Sequence, residues 1–296
     1  MISVLVAIVF CVAIPVLAMA SLVPSLQASA PKVLNYRGNQ VFNGLGVVWF
    51  IWLVAFWIGA HILNLLHIGQ PGWISYLLPT FPLLAGACVF GLFDDWAGSG
   101  ATPGSVRVRG FRGHLKAMLK GRITTGGLKF LGIGMLSLFT AVSLYYDGAT
   151  SILKVVLVTS IIALFANLLN LFDLRPARAS KVYLLGLALA LCCVGALRVV
   201  NLDAADIVAL ALAAFGPVLA TWRFDAGEKG MLGDAGANAA GALLGYLMAT
   251  ALPFGGLVAA ALLLLALNLA SEKWSFSQAI EGNKALKALD QLGRKR

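Results

Sequence analysis

The chain has 296 residues, of which 60% are hydrophobic and only 11% are charged. Soluble domains are typically about 45–50% apolar and about 25% charged, so this composition excludes an ordinary soluble enzyme and a disordered chain. A helix that crosses a bilayer core of about 30 Å needs roughly 20 apolar residues. We therefore expect one polytopic membrane domain rather than two soluble domains.

Apolar runs long enough to cross a bilayer recur along the chain. Nine of them stand out, at residues 2–24, 45–66, 74–93, 126–146, 151–172, 182–200, 206–222, 236–251 and 256–271. The pattern predicts an all-α polytopic membrane protein, a bundle of about nine transmembrane helices over residues 1–271, followed by an amphipathic tail over 272–296. No Lys or Arg precedes the first run, so we expect an uncleaved helix whose N-terminus lies outside.

That N-terminus fixes the side of every loop, and the basic residues test the choice. The segments placed inside, with the C-terminus in the cytoplasm, are 25–44, 94–125, 173–181, 223–235 and 272–296. Of the 22 Lys and Arg residues, all but Lys154 and Arg198 lie in these segments or at their edges. This distribution follows the positive-inside rule. It explains the net charge of +10 without a nucleic-acid partner, and it predicts a plasma-membrane protein.

An acidic pair at the end of the third run is the first candidate for chemistry. Asp94 and Asp95 occur in the sequence G-L-F-D-D-W. Two adjacent carboxylates at a helix C-terminus repel each other and oppose the helix dipole. We expect them to bind a cation, either a Lys or Arg side chain or a hard metal ion such as Mg²⁺. A solvated helix end is the simpler alternative.

A polar stripe follows at the end of the fifth run, in N-L-L-N-L-F-D-L-R-P. Asn167, Asn170 and Asp173 recur at three-residue spacing, which places them on one face of a helix. Polar faces of this kind usually line a bundle interior or a wet cavity. Hydrogen bonding between helices is the alternative. Arg175 and Arg178 follow directly, so cations suited to phosphate stand beside the Asp173 carboxylate.

Small residues surround a further acid in M-L-G-D-A-G-A-N, which ends at Asn238. Gly233 and Gly236 on either side of Asp234 would let the backbone approach a ligand closely. A helix that begins here favours an anion at its N-terminus. A plain helix cap with close packing of small residues is the alternative.

Taken in this order, the three motifs resemble the polyprenyl-phosphate N-acetylhexosamine-1-phosphate transferase family, which includes the bacterial phospho-MurNAc-pentapeptide transferase. That family has an Asp-Asp pair after a span, then an N-x-x-N-L-x-D stretch, then a G-D-x-G-S/A stretch. The matching residues here are Asp94-Asp95, Asn167 through Asp173, and Gly233 through Ala237. Loop order and topology also agree, so the resemblance covers nearly the whole chain.

The resemblance implies transfer of a sugar-1-phosphate from a UDP-sugar such as UDP-N-acetylglucosamine to a polyprenyl phosphate, with release of UMP, as in cell-wall biogenesis. It implies an active site facing the cytoplasm and Mg²⁺ as cofactor, with Mn²⁺ as a substitute, held by Asp234 and Asp95. It gives catalytic roles to Asp94, Asp95 and Asp173. It gives substrate-binding roles to Asn167, Asn170, Arg175, Arg178, Gly233, Gly236 and Asn238. A homodimer is compatible with it.

Two other classes of function stay open. Gly98 stands where the family often has Lys, and Leu174-Arg175-Pro176-Ala177 replaces the family's continuation of the second motif, D-G-x-D-G. These departures suit a non-catalytic relative that serves as a scaffold or regulator. A small membrane transporter is the third class. Its polar residues should lie near the bilayer midplane, whereas these cluster at one membrane face.

The loop after the Asp pair is strongly basic. Residues 96–125 carry six Lys and Arg residues and no acid. From Phe111, apolar residues recur between Arg112, Lys116 and Lys120, a pattern typical of a short interfacial helix with a basic face. Such a helix could gather the phosphates of both substrates. The alternative is that these basic residues only set the orientation in the membrane and attract anionic lipid.

Overall fold

The computed structural model describes residues 2–99, 110–145, 151–197 and 201–294, so Arg198 and the first part of the basic loop lie outside it. Helices account for most of the described chain. Their bounds are α1 (Ile2–Val6), a π-helical stretch (Ala7–Ala13), α2 (Ile14–Ser29), α3 (Val48–Leu65), α4 (Gly72–Leu77), α5 (Phe81–Ser99), α6 (Gly110–Leu119), α7 (Thr125–Leu144), α8 (Ile152–Phe172), α9 (Arg178–Leu197), α10 (Ala204–Asp225), α11 (Gly233–Ala251), α12 (Phe254–Ser271), α13 (Phe276–Gly282) and α14 (Lys284–Gln291).

Eight helical segments of the described chain are long and apolar enough to cross a membrane. They are Ile2–Ser29, Leu45–Leu65, Gly72–Ala97, Thr125–Leu144, Ile152–Phe172, Arg178–Leu197, Ala204–Asp225 and Phe254–Ser271. This set confirms the prediction of an all-α, multi-pass membrane protein. The count of nine spans and the outside N-terminus stay predictions.

The remaining predicted span, 236–251, corresponds to α11, which forms the centre of the bundle. Every residue of α11 except Asp234 and Thr250 is buried, against α5, α8 and α9. Small residues allow this close packing: a Cβ added to Gly245 would lie 2.6 Å from Ile162 Cα of α8. Asp234, Asn238 and the glycines dilute its apolar content, so α11 falls outside the set of eight.

A small sheet, which the sequence did not predict, precedes α11. Strand β1 (Lys32–Leu34) pairs antiparallel with β2 (Gln40–Asn43), and β2 pairs parallel with β3 (Gly230–Met231). The sheet therefore joins the segments 25–44 and 223–235, which were expected to be plain loops. It also brings Asn43, at the end of β2, to the start of α11.

Most of the charged segments meet at one end of the bundle. Contacts join the end of α5 to the starts of α7 and α11, the end of α8 to the start of α11, and the start of α9 to α14. We call this end, with the segments 94–99, 110–125, 173–181, 223–235 and 272–294, the basic end. The helix expected after Phe111 is present there as α6, although the side chains of residues 111, 112 and 115 are not described.

Candidate active site

The N-terminus of α11 lies at a tight turn among acidic side chains. Gly233 has a φ of +72°, and an added Cβ would lie 2.7 Å from Asp95 Oδ2. Glycine is therefore required on both conformational and steric grounds. The Gly233 N–H donates to Asp173 Oδ2 at 2.9 Å. The first N–H of the helix is thus paired with a carboxylate from the end of α8.

Asp95 caps the same helix terminus. Its Oδ1 accepts from the Asp234 N–H at 3.1 Å and from Asn43 Nδ2 at 2.9 Å, and its Oδ2 accepts from the Ala235 N–H at 3.3 Å. A carboxylate in this position satisfies N–H groups that have no partner within the helix and complements the helix dipole. The sequence predicts an anion at this helix N-terminus. Asp95 and Asp173 of the protein itself fill that role.

Asp94, the neighbour of Asp95, points to a different partner. Its Oδ2 lies 3.0 Å from Lys129 Nζ, and its Oδ1 accepts from Thr125 Oγ1 at 2.5 Å. Lys129 also forms a salt bridge with Asp234. With its amide oriented to pair both atoms, Asn170 donates to Asp234 Oδ1 at 2.7 Å and accepts from Lys129 Nζ at 3.1 Å. We call Asp94, Lys129, Asn170 and Asp234 the carboxylate cluster.

Lys129 is the member of this cluster that the sequence analysis did not assign. From the sequence, Lys129 is interpreted only as one of the basic residues that set the orientation in the membrane, beside the 94–125 segment. It is a single cation in the second turn of an apolar helix, α7, and its side chain is only 12% exposed. A charge in such a position is costly unless it is paired, and it usually marks a functional site. That argument alone could have singled it out.

A cleft opens beside the carboxylate cluster at Asp173. It is a shallow cleft of about 20 Å³, and its lining includes Tyr36, Asp173, Arg175 and Asp225. The Arg175 guanidinium lies 4.5 Å from the centre of the Tyr36 ring. Asp225 is buried, and its Oδ2 has no hydrogen-bond partner within the described chain. Burial, reinforced by the charges of Asp225, Asp234 and Asp95, raises the pKa of Asp173 well above its usual value.

The two arginines predicted to bind phosphate are both engaged with the C-terminal tail. Arg178 is 3% exposed and donates to both carboxylate oxygens of Asp290, at 2.8 and 2.9 Å. Arg294 pairs with the same carboxylate at 2.5 Å. Arg175 pairs with Glu281 at 2.7 Å on the surface. We call Arg178, Asp290 and Arg294 the tail clasp; within it, the Arg178 guanidinium is committed to protein contacts.

Three other predicted residues lie away from the carboxylate cluster. Asn167 is exposed and donates to Asn268 Oδ1 of α12 at 2.6 Å, which is the interhelical bond foreseen as the alternative. Gly236 packs against Gly46, where an added Cβ would lie 3.0 Å from the Gly46 Cα. Asn238 is buried within α11 with its Nδ2 unpaired in the described chain. None of these three contacts has the form of an open ligand site.

The oxygen-rich side chains fit a divalent cation by their chemistry, since Mg²⁺ prefers carboxylates. Within the ranges described, however, no group of three or more His, Cys, Asp and Glu is placed to hold a metal ion. The Lys129 ammonium occupies the position between Asp94 and Asp234 where a shared cation would bind. Both oxygens of Asp95 are already paired. Asp234 is paired as well, with Lys129 and Asn170, but its side chain is 24% exposed against 10% for Asp94, so it is the carboxylate of the cluster most open to a metal ion.

These observations place Asp94, Asp95, Asp173 and Asp234 around one helix terminus at the basic end, with Lys129 and Asn170 between them. No protein-family model matches the chain, and no curated protein matches it either, so its assignment depends on these residues and their geometry.

Proposed function

We propose that this protein transfers an N-acetylhexosamine-1-phosphate from a UDP-sugar to a polyprenyl phosphate at the cytoplasmic face of the plasma membrane and releases UMP. The observation that carries the proposal is the carboxylate cluster, in which acids from α5 and α11 meet around one lysine at the end of an apolar bundle. A lipid substrate requires a site at a membrane face, and two anionic substrates require cations there.

In the proposed reaction, an oxygen of the lipid phosphate attacks the β-phosphorus of the UDP-sugar. The bond from that phosphorus to the bridging oxygen breaks, a new diphosphate bond forms to the lipid, and UMP leaves with the electron pair. Asp94 suits the role of orienting the lipid phosphate or accepting its proton, because Asp95 is committed to capping α11. The Lys129 ammonium would offset the negative charge of the phosphates.

We assign the nucleotide to the cleft beside Asp173, where the Arg175 guanidinium over the Tyr36 ring is the cation that its phosphates would meet. The cleft would have to widen to admit a nucleotide, because it holds only about 20 Å³. Mg²⁺, when bound, supplies neutralisation of the diphosphate charge, and Asp234 is the residue that would hold it. Arg178 is left out of this assignment because its guanidinium belongs to the tail clasp.

The test is an assay of the purified protein with polyprenyl phosphate and a panel of UDP-sugars, with and without Mg²⁺, that scores UMP release. We expect release with at least one UDP-N-acetylhexosamine, dependent on both the lipid and the metal ion. The sidedness is tested separately with a reporter fused after Arg122, which should read as cytoplasmic. An external signal there would overturn the proposed orientation.

A non-catalytic scaffold is the second candidate, and one observation favours it. Lys129 already pairs with both Asp94 and Asp234, so each of these carboxylates has a cationic partner without any ligand. Absence of UMP release with every UDP-sugar, with or without metal, together with no phenotype from Asp234→Asn, would support the scaffold over the transferase.

A further inference from the structure

The C-terminal tail is held at the level where α9 begins. Arg178 and Lys181 lie in the first turn of α9, one of the eight candidate spans. Arg178 binds the Asp290 carboxylate, and Lys181 Nζ donates to the carbonyl oxygens of Leu289 and Asp290 at 3.2 and 2.6 Å. These bonds attach the last turn of α14 to the first turn of a candidate membrane span.

Contacts on either side of α14 keep the tail at the same level. Arg294 Nε donates to the Pro176 carbonyl at 2.9 Å, just before α9. The ring of Phe276, at the start of α13, stacks on Phe172 at the end of α8, with centroids 5.0 Å apart. Both tail helices are therefore level with the ends of spans, where the apolar layer of a bilayer gives way to its headgroups.

One face of α14 is apolar, and no other part of the described chain buries it. Leu286 and Leu289 lie on one side of the helix and are 46% and 59% exposed, and Leu292, directly after the helix, is 66% exposed. Lys284 and Lys287 are exposed and, at 3.6 residues per turn, lie on the side of the helix opposite the leucines, as Gln291 does. Asp290, on the flank, is the residue that points inward to Arg178. The described part of the tail thus separates an anchoring side from an apolar side.

We propose that α14 binds an anionic lipid surface beside the bundle through Leu286, Leu289 and Leu292, with Lys284 and Lys287 on its polar side attracted to the headgroups. A helix with one leucine side and a lysine-bearing polar side has the composition of an interfacial helix. The two lysines favour anionic headgroups over neutral ones. Trp274, 70% exposed between α12 and α13, supplies the aromatic side chain that interfacial segments commonly carry.

The position of this leucine face, beside the end of a candidate span, favours lipid over a protein partner. A leucine face far from the membrane would need another protein to cover it. This face is tied to the first turn of a span, so a bilayer around the bundle reaches it without any further component. This proposal is independent of the transferase reaction, because no residue of the carboxylate cluster takes part.

The experiment uses the full-length chain in vesicles, in a background where the accessible cysteines are replaced, Cys192→Ser and Cys193→Ser. A nitroxide is attached at Leu289→Cys or, as the matched control on the opposite side of α14, at Gln291→Cys. In vesicles of phosphatidylcholine with phosphatidylglycerol, we expect the label at 289 to collide more with oxygen and less with a water-soluble nickel chelate than the label at 291.

Two further measurements make the outcome decisive. Vesicles of phosphatidylcholine alone, or Lys284→Gln with Lys287→Gln, should raise nickel access at position 289. Equal nickel access at both positions in the anionic vesicles would overturn the proposal. Dipolar broadening between labels at position 289, with no change on removing the anionic lipid, would assign the face to a second copy of the chain instead.

Discussion

The carboxylate cluster and the tail clasp are neighbouring groups of charges with opposite balances. In the carboxylate cluster, one lysine pairs with two carboxylates from different helices. In the tail clasp, two arginines serve one carboxylate. The first group keeps an excess of negative charge and can use a further cation. The second has excess positive charge, but its Arg178 is bound on three nitrogens. The two groups therefore differ in charge balance, and only the carboxylate cluster has the negative excess that suits a further cation.

The largest effect is expected from Asp234→Asn. The substitution keeps the size of the side chain and removes the charge that faces Lys129 and would hold a metal ion. We expect UMP release to fall by about 10²–10³-fold, the range for losing one group that stabilises transition-state charge. Size-exclusion chromatography in detergent should show a folded protein.

The matched control is Asp203→Asn, which keeps the cap of α10, where Asp203 accepts from the Asp206 N–H at 2.7 Å. Its UMP release should equal that of the parent. Substantial activity in Asp234→Asn would remove the metal assignment even if the transferase reaction were established.

Lys129→Met comes next. It leaves Asp94 and Asp234 facing each other without their common cation. We expect UMP release to fall by about 10²-fold, and we expect Lys129→Arg, which retains the charge, to recover part of it. Lys154→Met is the control, because Lys154 lies over the Tyr145 ring, at the end of α7 away from the carboxylate cluster. Unchanged activity in Lys129→Met would make this lysine a purely structural group.

Arg178→Met should affect stability and not chemistry. Removing one partner of a buried ion pair costs about 3–5 kcal/mol, and the remaining Arg294–Asp290 pair should reduce that figure. A nitroxide at Gly282→Cys, where an added Cβ meets no atom within 4 Å, should become mobile. UMP release by the folded fraction should stay at the parent value. Loss of release with an immobile label would return Arg178 to the phosphate-binding role that the sequence suggested.

The smallest effect near neutral pH is expected from the protonation of Asp290. Burial would raise its pKa, but the Arg178 hydrogen bond and the Arg294 charge lower the pKa below its usual value. The stability gained from the ionised form is then fully present above the usual carboxyl pKa and is lost only as the pH falls through the lowered value.

Mobility of the Gly282→Cys label should therefore be constant from about pH 8 to about pH 5 and should rise in stronger acid. In Asp290→Asn the label should be mobile throughout. A transition near neutral pH in the parent would contradict the assigned direction of the shift.

The helical architecture could be predicted because a bilayer imposes length and apolarity on each span. The small sheet could not, since its strands have two to four residues each and β3 pairs with β2 across nearly 190 positions of sequence. Strands so short carry no alternating pattern that can be recognised.

The acidic residues of the candidate site could be predicted, but the partner that each carboxylate binds could not. Asp94 and Asp95 are adjacent in sequence, and the turn of the helix sends one side chain to Lys129 and the other to the N–H groups of α11. Similarly, Arg178 could be recognised as a cation near Asp173, but its partner Asp290 lies 112 positions away. Long-range pairing of this kind decides whether a charge is available to a ligand.

The position of α11 in the chain has a consequence for biosynthesis. Asp94, Asp95, Lys129 and Asp173 all precede Gly233, so they enter the membrane before the helix that pairs them has been made. Until then, the N–H groups that Asp95 and Asp173 accept from do not exist. Because α11 is less apolar than its neighbours in sequence, α10 and α12, its insertion should depend on grooves already formed by α5, α8 and α9. The candidate site is thus completed among the last events of assembly, and a nascent chain stopped before α11 would expose unpaired carboxylates to membrane quality control.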